Sequence, residues 1–126
     1  MKTLNIIETG YRATLEEQDD PVIWIIHAMK GAGAEHSVVL RANAVNYAVK
    51  AQGAPPLAFG ARRQQQGPRL AEAVSGLTAK GVEVYVVSDD LSERGLQGEE
   101  LIGGLKPVRR ADLPALCSGY DQIWHW

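Results

Sequence analysis

The apolar and polar positions change period along the chain, and the changes predict strands and helices in turn. A short apolar run over residues 3–8 reads as an opening strand, ended by Thr9-Gly10. A polar, acidic connection over 11–20 follows. Asp20-Pro21 then supplies a helix start: aspartate at the N-cap accepts free N–H groups, and proline at the first position gives up no bond. Val22-Ile23-Trp24-Ile25-Ile26 has strand propensity, but the cap before it and Gly31 after Lys30 favour a helix over 22–30. Its apolar residues cover more than one stripe. One face is therefore expected on a sheet, and the other under a second cover such as another subunit.

Residues 36–41 read as a second strand, and 44–51 as a helical turn or two with Val45, Ala48 and Val49 on one side. The stretch 53–68 reads as a loop, broken by Pro55, Pro56, Gly60, Gly67 and Pro68. Leu70, Val74 and Leu77 repeat at helical spacing within 69–80, and Gly81 closes that helix. Residues 82–87 form the most strand-like run, apolar enough for a central parallel strand buried on both faces. Ser88-Asp89-Asp90 ends it. A helix over 91–102, interrupted near Gly95 and Gly98, precedes a short strand at 106–108. Asp112 is expected to cap a helix carrying Leu113, Leu116 and Cys117, with Gly119 ending it and a last strand over 122–126. This βαβαβαβαβ order predicts an α/β fold: a three-layer α/β/α sandwich with a five-stranded, mostly parallel sheet.

Composition narrows the function classes. At 126 residues, a single domain is expected. Hydrophobic residues make up 45% and charged residues 22%, which excludes a disordered polar tail. The longest apolar block, 22–26, is far too short to cross a membrane. A formal net charge of −2 gives no basic excess to attract nucleic acid. The lone Cys117 cannot form an intrachain disulfide, and no secretory h-region is visible, so the expected location is the cytoplasm. His27, His36 and His125 are scattered without metal-ligand spacing, so no metal is expected. Gly31-Ala32-Gly33-Ala34 lacks the third glycine of a dinucleotide fingerprint and ends a helix, so no cofactor is expected.

Several stretches together resemble the DsrE/DsrF-like family of small sulfur-relay proteins. They are the opening Leu4-Asn5-Ile6-Ile7-Glu8, the run from Val38 through Asn43 to Val45, and Gly81-Val82-Glu83-Val84-Tyr85-Val86-Val87. Glu93-Arg94-Gly95-Leu96, Ala111-Asp112-Leu113 and Tyr120-Asp121-Gln122-Ile123 complete the pattern. The resemblance covers nearly the whole chain. It implies the same five-stranded sandwich, a homo-oligomer (trimer or hexamer), and sulfur-carrier proteins as partners. Some members carry a persulfide on a cysteine near the end of the third strand. The corresponding stretch here, Tyr85-Val86-Val87-Ser88, holds no thiol.

Cys117 is thus the one residue able to act as a catalytic persulfide carrier. Such a role needs a thiolate, favoured by nearby positive charge. Arg109 and Arg110 precede its helix, but the C-terminal end of a helix disfavours an anion. The alternative is a small buried side chain packed beside Leu113 and Leu116. A second candidate lies at the carboxyl ends of the strands, where open parallel sheets bind ligands. There Asn43, Ser88 and Asp89 could line a polar pocket, or serve only as turn formers and caps. Trp124 and Trp126 stand at i, i+2 and share a face, covered either by the chain's own last helix or by another subunit. Arg62, Arg63 and Arg69 could meet an anion or simply be solvated. The functional expectation is a sulfur-relay or scaffold subunit of an oligomer; the alternative is a small-molecule-binding protein or enzyme using the strand-end pocket.

Overall fold

The computed structural model describes residues 1–12, 19–53 and 55–126. Most of the predicted acidic connection, residues 13–18, lies outside the described residues, as does Ala54. Among the described residues seven strands form in chain order: β1 (Lys2–Ile7), β2 (Glu35–Leu40), β3 (Ala58–Phe59), β4 (Arg62–Arg63), β5 (Val84–Val87), β6 (Lys106–Val108) and β7 (Gln122–His125). The α-helices are α1 (Pro21–Gly31), α2 (Leu70–Ala79), α3 (Ser88–Glu93) and α4 (Leu113–Cys117). Five strands make one sheet in the order β6-β5-β2-β1-β7, and every neighbouring pair is parallel. The predicted α/β architecture is therefore present, with the apolar run at 84–87 as an interior strand.

Alternation along the strands divides the side chains between two faces. Ile7, Val38, Leu40, Val84 and Val86 join the larger core, with Val22, Ile23 and Ile26 of α1 and Leu70, Val74 and Leu77 of α2. The 3-10 helix Ala42–Ala48 adds Ala44, Val45, Tyr47 and Ala48 to it. The opposite face carries a much smaller cluster of Leu4, Val39, Val87 and Leu113, with Ile6, Tyr85, Leu116, Cys117 and Tyr120 half-buried around it. Its helical cover is the five-residue α4 and the turn before it. The two outer layers are thus very unequal, and Ile123 on the second face remains 42% exposed.

Local chemistry explains the helix ends. Asp20 caps α1 by accepting from Val22 N at 2.9 Å and Ile23 N at 3.1 Å. The helix runs through Gly31 rather than stopping there, and Gly33 at φ +91° makes the left-handed turn into β2. Helix α3 begins at Ser88, three residues earlier than expected, because Asp89 and Asp90 suit the positive first turn of a helix. Asp112 does not cap α4 with its side chain. Its carboxylate takes Arg109 instead, at 2.8 and 3.1 Å, which removes it from the helix end. The predicted loop holds a minimal hairpin, β3 with β4, turned at Gly60 with φ +61°.

The tryptophan pair lies on the α1 side of the sheet, beside edge strand β7. Trp126 donates from Nε1 to Asn5 Oδ1 at 3.2 Å, and Trp124 meets the His36 ring edge-on with centroids 5.3 Å apart. The last helix does not supply these contacts; Asn5 and His36 do. The fully buried Asn5 fixes the state of His36. An indole N–H only donates, so the atom facing Trp126 is an oxygen, and Asn5 Nδ2 donates to Ser37 O at 3.1 Å and His36 Nδ1 at 2.9 Å. Nδ1 must accept, which leaves the ring neutral with its proton on Nε2. Burial lowers the pKa of His36 from its ordinary value. The unfolded chain then takes up this proton first as pH falls. The contribution is fully present above about pH 6.5 and declines as pH falls through the folded pKa. Urea unfolding followed by tryptophan fluorescence is expected to show a lower midpoint at pH 5 than at pH 7. The difference should shrink in His36→Gln.

Candidate functional site

The carboxyl ends of all five strands converge on one rim. After β5, Asp90 is almost fully buried at the first turn of α3. Its Oδ2 accepts from Ala42 N at 2.7 Å, and its Oδ1 pairs with Arg110 Nη2. Ala42, the residue just past Arg41 at the end of β2, holds φ +49°, a left-handed conformation unusual for a residue with a side chain. The Asp90 carboxylate therefore pins a strained turn. Burial opposes its charge, but the Ala42 N–H, the Arg110 guanidinium and the more distant Arg41 outweigh that penalty, so the carboxyl ionises below its ordinary range. Arg110 also reaches Glu93 Oε1 at 2.8 Å.

The predicted ligand residues sit on this rim with their polar atoms engaged inside the chain. Asn43 Oδ1 accepts from Arg94 Nη2 at 2.9 Å. Asp89 Oδ1 accepts from Arg110 N at 2.9 Å. Ser88 Oγ donates to Val108 O at 3.3 Å. The three are brought to one edge of the molecule, each as a brace between consecutive strand ends. Gly10, opposite them, packs close to the chain: a Cβ there would lie 3.4 Å from Asn43 O.

A second group on the rim was not singled out from the sequence. Glu8, one residue past β1, holds His125 Nε2 at 2.5 Å through Oε2. Its other oxygen lies 3.8 Å from Arg41 Nε, a buried atom with no hydrogen-bond partner among the described residues. The three residues belong to neighbouring strand ends and, by alternation, to the second face of the sheet. An imidazole held by a carboxylate, with a guanidinium beside it, can exchange a proton and hold an anion. Counting the residues that close the strands, β7 included, and not only the turns that follow β1, β2 and β5, would have found them.

Cys117 is elsewhere. It is the last residue of α4, half-buried against the smaller core cluster with Leu113 and Leu116. From there the chain returns to the start of β7, and Asp121 N meets Lys2 O at the amino end of β1. The thiol thus lies on the part of α4 that points away from the rim. His27 is tied to Ala73 O at 2.8 Å through Nε2. Arg62 and Arg63 are exposed on the hairpin, and Arg69 pairs with Glu72 at 3.6 Å. Among the described residues no group of three histidine, cysteine, aspartate or glutamate side chains could hold a metal ion.

Across its full length the chain matches the crystal structure of the YchN protein from E. coli, with a TM-score of 0.74 and 16% identity over 100% of both chains. The likeness shows the fold. A second solved structure, MTH1491 from Methanobacterium thermoautotrophicum, a protein of unknown function, matches with a TM-score of 0.68 and 16% identity over 98% of this chain and 97% of that one. No family model and no curated protein matches the sequence. No helix among the described residues is long and apolar enough to cross a membrane.

Proposed function

We propose that the protein is a cytoplasmic, DsrE/DsrF-like subunit of a homo-oligomer associated with sulfur metabolism, serving as a scaffold or binding subunit rather than as the thiol carrier. One observation carries this reading. The rim where the family resemblance implies a persulfide cysteine holds a braced ionic array (Asp90 with Arg110, Glu8 with His125 and Arg41) and no thiol. The one thiol, Cys117, packs on the sheet face beside Leu113 and Leu116 with no charged partner among the described residues. A rim of this composition suits a small anion or a partner's acidic group. The test is persulfide loading from inorganic polysulfide, which passes one sulfane sulfur to a thiolate and leaves as the polysulfide shortened by one sulfur, read by intact mass. The wild type and Cys117→Ser are expected to support partner loading equally; transfer that depends on Cys117 would replace this reading with relay.

The oligomer part of the proposal is supported by α1. Pro21, Trp24, Ile25 and Ala28 follow one another at i, i+3, i+4 and i+7, and all four side chains face solvent. Trp24 is 59% exposed and Ile25 37%. An apolar stripe of this size is costly in water and fits a second copy of the chain. Light scattering after size exclusion is expected to give a mass of several protomers. Trp24→Glu should reduce it to one protomer without changing far-UV circular dichroism. A monomeric wild type would exclude the assembly.

A further inference from the structure

A cavity lies at the opposite end of the sheet from the ionic rim, mostly on the thinly covered second face. It has a volume of about 460 Å³, within the range of small-ligand sites. Its floor is the amino half of β2 and β5, and one wall is the end of α4 with the turn that follows. Ser37 sits in this floor on the same face as Leu4 and Val39, and is only 8% exposed. Its hydroxyl has no hydrogen-bond partner among the described residues. The hydroxyl is open to the cavity, where a ligand can supply the hydrogen bond that the protein does not.

The other walls mix aromatic and charged side chains, with Glu35, His36 and Glu83 among them. Tyr85, Tyr120 and Leu116 supply the cavity's apolar part. The Tyr85 hydroxyl donates to Glu83 Oε2 at 3.2 Å, and Lys106 Nζ stands 5.8 Å from the Tyr85 ring centroid. Burial, then the neighbouring Tyr120 and Glu83, push the Tyr85 phenol up to about 12, so it remains a donor at neutral pH. Glu83 is already neutralised by Lys106. Lys2 and Lys30 also line the cavity, and neither side chain closes an ion pair among the described residues. Glu35, also in the lining, lies 3.9 Å from the Met1 ammonium, so the cavity combines a hydroxyl floor, two tyrosines and two lysines that close no ion pair among the described residues.

We propose that this cavity binds a small monocyclic aromatic acid, its ring between Tyr85, Tyr120 and Leu116, a polar substituent on Ser37, and its anionic group toward Lys2 and Lys30. The Tyr85 and Tyr120 rings favour an aromatic ring over an inorganic anion. The two lysines favour a carboxylate over a neutral phenol. The site is separate from the strand-end rim and does not depend on sulfur chemistry. Titration of ¹⁵N-labelled protein with 4-hydroxybenzoate is expected to give saturable shifts at Ser37, Tyr85, Leu116 and Tyr120. Loss of one hydroxyl partner in Ser37→Ala should weaken binding by about fivefold. Phenol should bind more weakly than 4-hydroxybenzoate in the wild type, and the gap should close in the Lys2→Ala/Lys30→Ala variant. Leu116→Trp, which fills the space from α4 rather than from the sheet, should abolish binding while preserving the fold. Absence of saturable shifts up to about 10 mM, far weaker than any specific site of this size, would overturn the proposal. So would shifts confined to the strand-end rim, or equal affinity in the folded Ser37→Ala protein.

Discussion

Asp20→Ala is expected to destabilise the protein by about 3 kcal/mol, the sum of a lost helix cap and of buried donors left without an acceptor. Asp20 is 1% exposed and spends both oxygens. Oδ1 takes the first free N–H groups of α1, and Oδ2 accepts from the Tyr47 hydroxyl at 2.6 Å. Tyr47 in turn accepts from Tyr11 N, so one carboxylate ties α1, the 3-10 helix Ala42–Ala48 and the segment after β1 together. Burial, and then Asp20 itself, push the Tyr47 phenol far above its ordinary range, so the tyrosine never competes for the charge. Tyr47→Phe removes one donor but keeps the cap and the packing, and should cost about half as much. Asp20→Asn should retain most of the cap. Urea unfolding with an unchanged m-value measures each loss. A combined Asp20→Ala/Tyr47→Phe protein should lose less than the two single losses added, because each alone strands the other's group.

Asp90→Ala is expected to cost about 2 kcal/mol, chiefly from the Ala42 N–H it leaves stranded in a left-handed turn. The partly exposed Arg110 keeps Glu93 as a partner, which limits the loss on that side. Because the Asp90 carboxyl ionises below its ordinary range, its contribution is complete above the unfolded value of about 3.9 and is lost as pH falls through the folded pKa. The acid limb of the stability curve should therefore be shallower in Asp90→Ala than in the wild type. An identical limb in the two proteins would remove the carboxylate from this role.

Most of the sheet was legible because its evidence is local. The run at 84–87 is apolar on both alternations and proves interior, and Leu70, Val74 and Leu77 of α2 are all buried as their spacing predicts. The Asp20-Pro21 start of α1 is equally local. What failed was where a side chain had two competing partners. Asp112 reads as a cap, but Arg109 three residues earlier captures it. Ser88-Asp89-Asp90 reads as the end of a strand, yet its acidic pair starts a helix. The site was harder still. The Glu8–His125 contact joins residues 117 positions apart, and no short motif encodes it. Ser37 looks like an ordinary interior strand residue. Only the unequal cover of the two sheet faces leaves space above it, and that inequality depends on α4 being five residues long.

The proline in the middle of β6 bears on how copies of this chain can join. At the β6 border of the sheet, Pro107 faces Val86 and has no N–H to offer a newcomer. Lateral growth, strand added to strand, meets a missing rung there and stalls. Fibre-like polymerisation through that border is thus discouraged from within the fold itself, and concentrated protein should remain as discrete, countable particles.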